Sequence, residues 1–406
     1  MHDLNWAQTD FTEQSQAFAE KIFADVRLLF QSPAPLTGVT RTSYSPEEGR
    51  VLKYLSDVCC GLGLQVETDP AGNVWGTLRG SDPELPAVVS GSHCDSVPDG
   101  GNYDGLAGIV AALCTARWMQ YLGFSPKRDF RVVIMRGEEE GLLGSLGMLG
   151  QLTEDDLSRR MRSGSAGPTL RELLTGIGVD PAAVSSGKHC VDFAKIAAFI
   201  EVHIEQRARL DNAVTDRVGV VTGIRGLIRH RTIQAIGETA HAGAVDFPYR
   251  KDAALACARF SSRLYDFWQH ELSLGRDLVA TTGVIRTSPS ASMNKIAGEC
   301  IVSLDARSLS AAELNLFEKK VEAILQETAE ETGVIFKTDP LMRIAPVEAD
   351  EGVMKKLETS ADILKIGTQR MPSGAGHDAM NFAAAGVPFA MLFVANRFGS
   401  HNPNEY

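Results

Sequence analysis

Four short apolar runs constrain this chain most: residues 86–90 (PAVVS), 130–135 (FRVVIM), 195–200 (KIAAFI) and 388–394 (PFAMLFV). Each has the length and the aliphatic character of a buried strand. Between the runs the hydrophobic period changes to that of a helix. After Asp104, the residues Leu106, Ile109, Val110 and Leu113 recur at i, i+3, i+4 and i+7, one face of a helix. Strands alternating with helices predict an α/β domain with a largely parallel sheet.

A second block interrupts that pattern. It reads as strand 227–236, helix 251–272, strand 278–285, strand 299–307, helix 311–332 and strand 334–337. That βαββαβ order is the ferredoxin-like arrangement. The α/β pattern then resumes with the glycine-rich SGAGHDA stretch and the last apolar run. The length of 406 residues suits two domains. We therefore expect a larger domain from 1–221 and 337–406, with a smaller one, 222–336, inserted into it. Residues 163–167 (SGSAG) read as a surface loop.

The N-terminal MHDLNWAQTDFTEQSQAFAEKIF reads as an amphipathic helix, since it lacks the basic start and apolar core of a signal peptide. No apolar run approaches the ~20 residues of a membrane span, so no membrane partner is expected. A formal charge of −11 argues against nucleic acid, yet leaves room for a small anionic substrate. Seven cysteines form no disulfide framework, which points to reduced thiols in the cytoplasm. The adjacent Cys59 and Cys60 invite a redox reading, but neighbouring side chains on a helix point apart, so a structural role is expected.

Chemistry gathers where the strands end. Residues 91–108 (GSHCDSVPDGGNYDGLAG) follow the first run and carry His93, Asp95 and Asp104. Ligands of open α/β sheets bind at the carboxyl ends of strands, and imidazole with carboxylate suits Zn, Mn, Co or Ni. The second run leads into Glu138, Glu139 and Glu140, the third into His203 and the fourth into His401. A run of three glutamates is by itself a solvated turn, and a lone histidine is more often structural than a ligand. Four such coincidences of position weigh against that bland reading. His93, Asp104, Glu140, His203 and His401 make five candidate ligands, enough for two ions if an aspartate is shared. Two metals on the order of 3.5–4 Å apart activate one water and polarise a carbonyl.

The motifs GSHCDSVPDGGNYDG, EEEG, HIEQ, AHAG, SGAGHDA and GSH, in this order, resemble the N-carbamoyl-L-amino-acid hydrolase and allantoate amidohydrolase family. That family lies within the aminoacylase- and carboxypeptidase-type metallohydrolases. The resemblance implies a metallopeptidase-type catalytic domain with a mixed, mostly parallel sheet, and a ferredoxin-like lid or dimerisation domain. It implies two divalent ions, with His93 and His203 on one, Glu140 and His401 on the other, and Asp104 bridging. Glu139 would be the general base that takes a proton from the bridging water and returns it to the leaving nitrogen. Asp95 would orient the ligands through a hydrogen bond. His241 would meet the oxygen of the tetrahedral intermediate, while Gln206, Asn294 and Arg307 would bind the substrate, Arg307 through its planar fork. Without the resemblance, Arg307 reads as a structural ion pair. The family also implies a homodimer in which His241 can act in trans. The role of His377 is left open.

Departures from the family pattern fall in substrate-facing segments. Arg207-Ala208 replaces the usual Gly-Pro, Ala244-Val245-Asp246-Phe247 replaces Thr-Thr-Pro-Met, and Asn294-Lys295-Ile296-Ala297-Gly298 replaces Asn-Val-Ile-Pro-Gly. The family normally adds a closing helix after the last motif, so a truncated chain is an expectation. The expected reaction is cleavage of the carbamoyl C–N bond of a small carboxylate substrate. Allantoate, ureidoglycolate or β-ureidopropionate hydrolysis, acylase or dipeptidase activity, and a catalytically dead metal-binding relative are the alternatives.

Overall fold

The computed structural model describes residues 9–32, 35–161 and 167–405 and contains both helices and strands. The first eight residues of the expected N-terminal helix, and 163–166 of the expected surface loop, lie outside the described residues. The chain divides into two units, Met1–Thr222 with Ala349–Met371 and His377–Tyr406, and Gly223–Glu348 with Pro372–Gly376.

The larger unit opens with α1 (Thr9–Phe30) and α2 (Pro46–Gly61). Ser45 caps α2 by accepting from Glu48 N, and Pro46 occupies the first turn, where no amide hydrogen is missed. Then come β1 (Gln65–Thr68), β2 (Val74–Leu78), β3 (Ala87–His93), α3 (Leu106–Tyr121) and β4 (Phe130–Met135). Four short helices follow, α4 (Leu143–Met148), α5 (Glu154–Ser158), α6 (Leu170–Gly176) and α7 (Pro181–Val184), then β5 (Ile196–Ile204) and β6 (Val218–Ile224). Leu106, Ile109, Val110 and Leu113 of α3 are buried with Ile22 and Val26 of α1 and with Val132 and Ile134 of β4. Cys59 joins this core while Cys60 faces outward, as neighbours on a helix must.

The smaller unit is built on β7 (Gly226–Ile236), β8 (Ala240–His241), α8 (Ala253–Ser273), β9 (Val279–Thr281), β10 (Ile285–Thr287), β11 (Lys295–Ile296), β12 (Glu299–Ser308), α9 (Ala311–Thr332), β13 (Ile335–Thr338), β14 (Met342–Ile344) and β15 (Val347–Glu348). Its main sheet runs β10-β12-β7-β13, all antiparallel, the ferredoxin-like order. Phe260 of α8 and Phe317 of α9 are buried in one core with Ile233 and Val302 of the sheet. The strand expected over 278–285 is two pieces, both paired to β12, and the register slips by one residue between them, with Thr281 opposite Asp305 but Ile285 opposite Val302. A slip of this kind breaks the ladder and leaves two short strands. The unit also continues past 336 to Glu348, because β14 pairs with β7.

The chain returns through α10 (Glu351–Ile363), β16 (Thr368–Ser373), α11 (Ala379–Ala384) and β17 (Phe389–Val394). In the large sheet the order is β1-β2-β4-β3-β5-β17-β6. The neighbours β4, β3, β5 and β17 are parallel, and antiparallel pairings flank them, so the sheet is mixed. The four apolar runs are these four parallel strands. Their carboxyl ends therefore lie side by side at one edge of the sheet.

Candidate metal centre

His93 is the last residue of β3, and Asp104 stands two residues before α3. The connecting loop is pinned by Arg41, fully buried, whose Nε donates to the Cys94 carbonyl at 2.7 Å and whose Nη1 donates to Asn102 Oδ1 at 3.3 Å. Nothing in the run Thr40-Arg41-Thr42 signals that role, because the partners lie more than fifty residues away. Gly105 closes the loop with φ +64°, and a Cβ there would stand 2.4 Å from the His93 carbonyl oxygen. Only glycine lets the backbone pass so near the imidazole.

The two carboxylate oxygens of Asp104 serve two different groups. Oδ1 faces His203 Nε2 at 2.9 Å and His93 Nε2 at 3.6 Å. Oδ2 faces His401 Nε2 at 3.7 Å, and that same nitrogen lies 3.0 Å from Glu139 Oε2. Two clusters with metal-ligand spacing result, His93–Asp104–His203 and Asp104–Glu139–His401. His203 Nδ1 sits 2.9 Å from the Ile204 carbonyl and His93 Nδ1 3.2 Å from that of Asp95, which leaves both Nε2 atoms to face inward. Burial alone would raise the Asp104 carboxyl, but His203 and His93 hold it well below the ordinary carboxylate range.

A metal fits these residues. His93 Nε2, Asp104 Oδ2 and Glu139 Oε1 are buried with no hydrogen-bond partner among the described residues. Orphaned buried polar atoms are costly unless something pairs them. Three of them around one aspartate are what a cation would satisfy.

The glutamate run differs from its expected reading. The carboxylate beside His401 and Asp104 belongs to Glu139, and Glu140 is in neither cluster among the described residues. The cause is local. Gly137 takes φ +65°, and the amides of Glu138 and Glu139 donate to the two oxygens of Asp95 at 3.1 and 3.2 Å. These bonds turn the first two glutamates inward. Glu140 falls on the turn closed by Gly141 N and Leu142 N on the Glu138 carbonyl. Glu138 Oε2 lies 3.8 Å from His93 Nε2. Burial raises its carboxyl far above the usual value, helped by the charges of Asp378, Glu139 and Asp104 and opposed by His93. Asp95 is itself buried, takes a 2.6 Å hydrogen bond from Ser43 and faces His93 Nδ1 at 3.3 Å. It thus orients a histidine and both inward glutamates.

His377 is buried with its ring centroid 4.6 Å from that of His203. Burial and the charge on His203 push it well below the ordinary imidazole value. Gln206 is half-buried just beyond β5, its carbonyl 3.2 Å from where a Cβ on Gly399 would stand.

The remaining candidates belong to the smaller unit. His241 on β8 is the register partner of Lys295 on β11, and the Asn294 carbonyl accepts from Ala242 N at 2.9 Å, so His241 and Asn294 are brought together and exposed. Arg307 donates from Nε to Asp305 Oδ1 at 2.7 Å, from Nη2 to Asp305 Oδ2 at 3.2 Å and from Nη1 to the Gly374 carbonyl at 2.6 Å. The structural ion pair is therefore present. An arginine has five N–H donors; these three bonds leave one on each terminal nitrogen.

Residues 89–406 match the peptidase family M20/M25/M40. The N-carbamoyl-L-amino-acid amidohydrolase of Paenarthrobacter aurescens is 32% identical over 397 residues, 96% of this chain and 94% of that protein. The allantoate amidohydrolase of Escherichia coli K12 is 32% identical over 379 residues, 91% of this chain and 89% of that protein. Among solved structures, a hydantoinase/carbamoylase family amidase from Burkholderia multivorans superposes with a TM-score of 0.83 at 27% identity, covering 95% of this chain and 92% of its own.

Proposed function

The chain belongs to the peptidase family M20/M25/M40, and from that premise we propose that it is a two-metal amidohydrolase that cleaves the carbamoyl C–N bond of N-carbamoyl-L-amino acids. One observation carries the reading: the two oxygens of a single buried aspartate, Asp104, each face a separate cluster of ligand atoms. The ions would be Zn, Mn, Co or Ni, held by His93 and His203 on one side and by Glu139 and His401 on the other, with Asp104 shared. Such ions, when bound, polarise a carbonyl and make attacking water more acidic.

The chain's own groups supply the rest. Glu138 takes the proton of the attacking water on its carboxylate and returns it to the leaving nitrogen. Its place beside His93 and its Asp95-bound amide support this role, which the resemblance alone would assign to Glu139. Asp95 holds the amides of Glu138 and Glu139, so base and ligand keep one geometry. His241 stabilises negative charge on the substrate oxygen. Arg307 grips the substrate carboxylate through its remaining N–H donors, with Asn294 and Gln206 as further contacts. The same reading makes the protein a cytoplasmic homodimer with a small-molecule carboxylate substrate. Among the described residues no helix is long and apolar enough to cross a membrane.

Allantoate is the second reading, since the Escherichia coli relative named for it is as similar as the carbamoylase. A panel of carbamoyl, formyl and acetyl amino acids plus allantoate, assayed with added manganese, tests both. Carbamoyl cleavage releases ammonia, carbon dioxide and the free amino acid, whereas acyl cleavage releases no ammonia. Turnover confined to formyl or acetyl substrates would overturn the proposal.

A further inference from the structure

The four residues His93, Asp104, His203 and His401 are not equally supported. The side chains of His93 and His203 are 1% exposed, whereas that of His401 is 51% exposed and its backbone takes φ +63°. Something other than packing must hold the turn that carries His401 against the loop that carries Asp104.

One buried side chain joins them. Glu405 lies four residues beyond His401 and is 4% exposed. Its Oε2 accepts from Tyr103 N at 2.8 Å and from Asp104 N at 3.0 Å. The fit is close on the other side as well. A Cβ on Gly101 would stand 2.0 Å from that oxygen, so glycine is what leaves room for the carboxylate. Within the turn, Asn402 Nδ2 donates to the carbonyls of Phe398 and Gly399 at 3.1 Å each, and the Asn402 carbonyl accepts from Glu405 N. The turn is tied to itself and, through Glu405, to the backbone of Asp104. Hydrogen bonds from two amides to a buried carboxylate are charge-assisted and short in reach, so they set position and not merely proximity.

We propose that Glu405 is a positioning residue of the metal centre: it fixes Asp104 between the two ligand clusters and carries His401 into place with it. The inference rests on the two-metal reading above. Its consequence is that metal affinity, above all at the Asp104–Glu139–His401 cluster, depends on a residue that offers no ligand atom to either cluster.

The test uses the full chain, stripped with chelator and titrated with manganese. Bound metal is counted by elemental analysis, and affinity is measured by competition with a chromophoric chelator. The parent takes up two ions per chain. Glu405→Ala binds the weaker ion 10–100-fold less tightly, the usual effect of losing a group that orients a ligand. Glu405→Gln, whose amide oxygen still accepts from both backbone amides, stays nearer the parent than the alanine variant. Glu405→Asp, which keeps the charge but withdraws the acceptor, behaves like alanine and carries the test should the alanine variant not fold. Parental affinity for two ions in the alanine or aspartate variant overturns the positioning role and leaves the metal centre intact. Equal loss in the glutamine and alanine variants also overturns it. A parent chain that fails to take up two ions overturns the two-metal reading, and this inference falls with it.

Discussion

Glutamates 138, 139 and 140 are chemically identical and adjacent, yet the fold gives them three different surroundings. Three glutamine substitutions therefore separate their roles. Glu138→Gln should keep two bound ions and lose roughly 10²–10⁴-fold in kcat, because the water has lost its proton acceptor. Glu139→Gln should lose metal as well as turnover. Glu140→Gln should retain near-parental rate and metal content. Metal counts and kcat on the three variants check the assignment, and a dead Glu140→Gln would restore the register that resemblance alone implies. The types of residue at this centre were legible because imidazoles and carboxylates recur after each apolar run. Which glutamate turns inward was not, because it depends on the φ of Gly137 and on two amides reaching Asp95.

Strand β12 shows how one element serves two purposes. Asp305 is the register partner of Arg229 on β7, and Arg307, two residues on, points to the same face. Both guanidiniums bond to Asp305. Partial burial raises the Asp305 carboxyl, but Arg307 and Arg229 outweigh it and lower the folded pKa below 3.8. A depressed carboxylate stabilises the fold fully above the unfolded value near 3.8, and the contribution is lost as pH falls through the lower folded value. Metal-stripped Asp305→Asn should thus lose stability near neutral pH and show a shallower fall in thermal midpoint from about pH 5 to pH 3 than the stripped parent. The remaining donors of Arg307 make a second prediction. Arg307→Ala should raise KM for carboxylate substrates by roughly tenfold or more, and much less for their amides. Equal effects on acid and amide would mean that the ion pair with Asp305 is its whole role. The helices α8 and α9 could be read from their periodicity. The break between β9 and β10 could not, because it lies where their shared pairing with β12 slips by one residue, which exists only in the folded sheet.

At the scale of the molecule, metal and stability are linked. Asp104, Glu138 and Glu139 crowd three carboxyl groups around three imidazoles, and among the described residues His93 Nε2 and two carboxyl oxygens have no hydrogen-bond partner. Divalent ions binding only the folded chain stabilise it by about 2.7 kcal/mol for each site held at a hundredfold excess over its Kd. Chelator should therefore abolish hydrolysis and lower the thermal midpoint by several degrees, and manganese, cobalt, nickel or zinc should restore both to differing extents. Full activity in metal-free protein would remove the basis of the proposed function. Boundaries are the feature least visible at this scale. The smaller unit runs on to Glu348 and takes in Pro372–Gly376 because β14 and the SGAG stretch pack there, which only pairing distant in sequence reveals.

Local chemistry is written along the chain. Apolar runs, helical periods and the kind of side chain that follows each strand depend on near neighbours, so the α/β alternation, the βαββαβ block and the gathering of His93, Asp104, His203 and His401 at one sheet edge could be read in order. Tertiary structure alone decided which oxygen of Asp104 faces which cluster, that Glu139 and not Glu140 meets His401, and that Arg41 and Glu405 brace the loop between β3 and α3. Those outcomes rest on contacts between residues 43 to 302 positions apart, whose geometry exists only once the sheet has set its strands side by side.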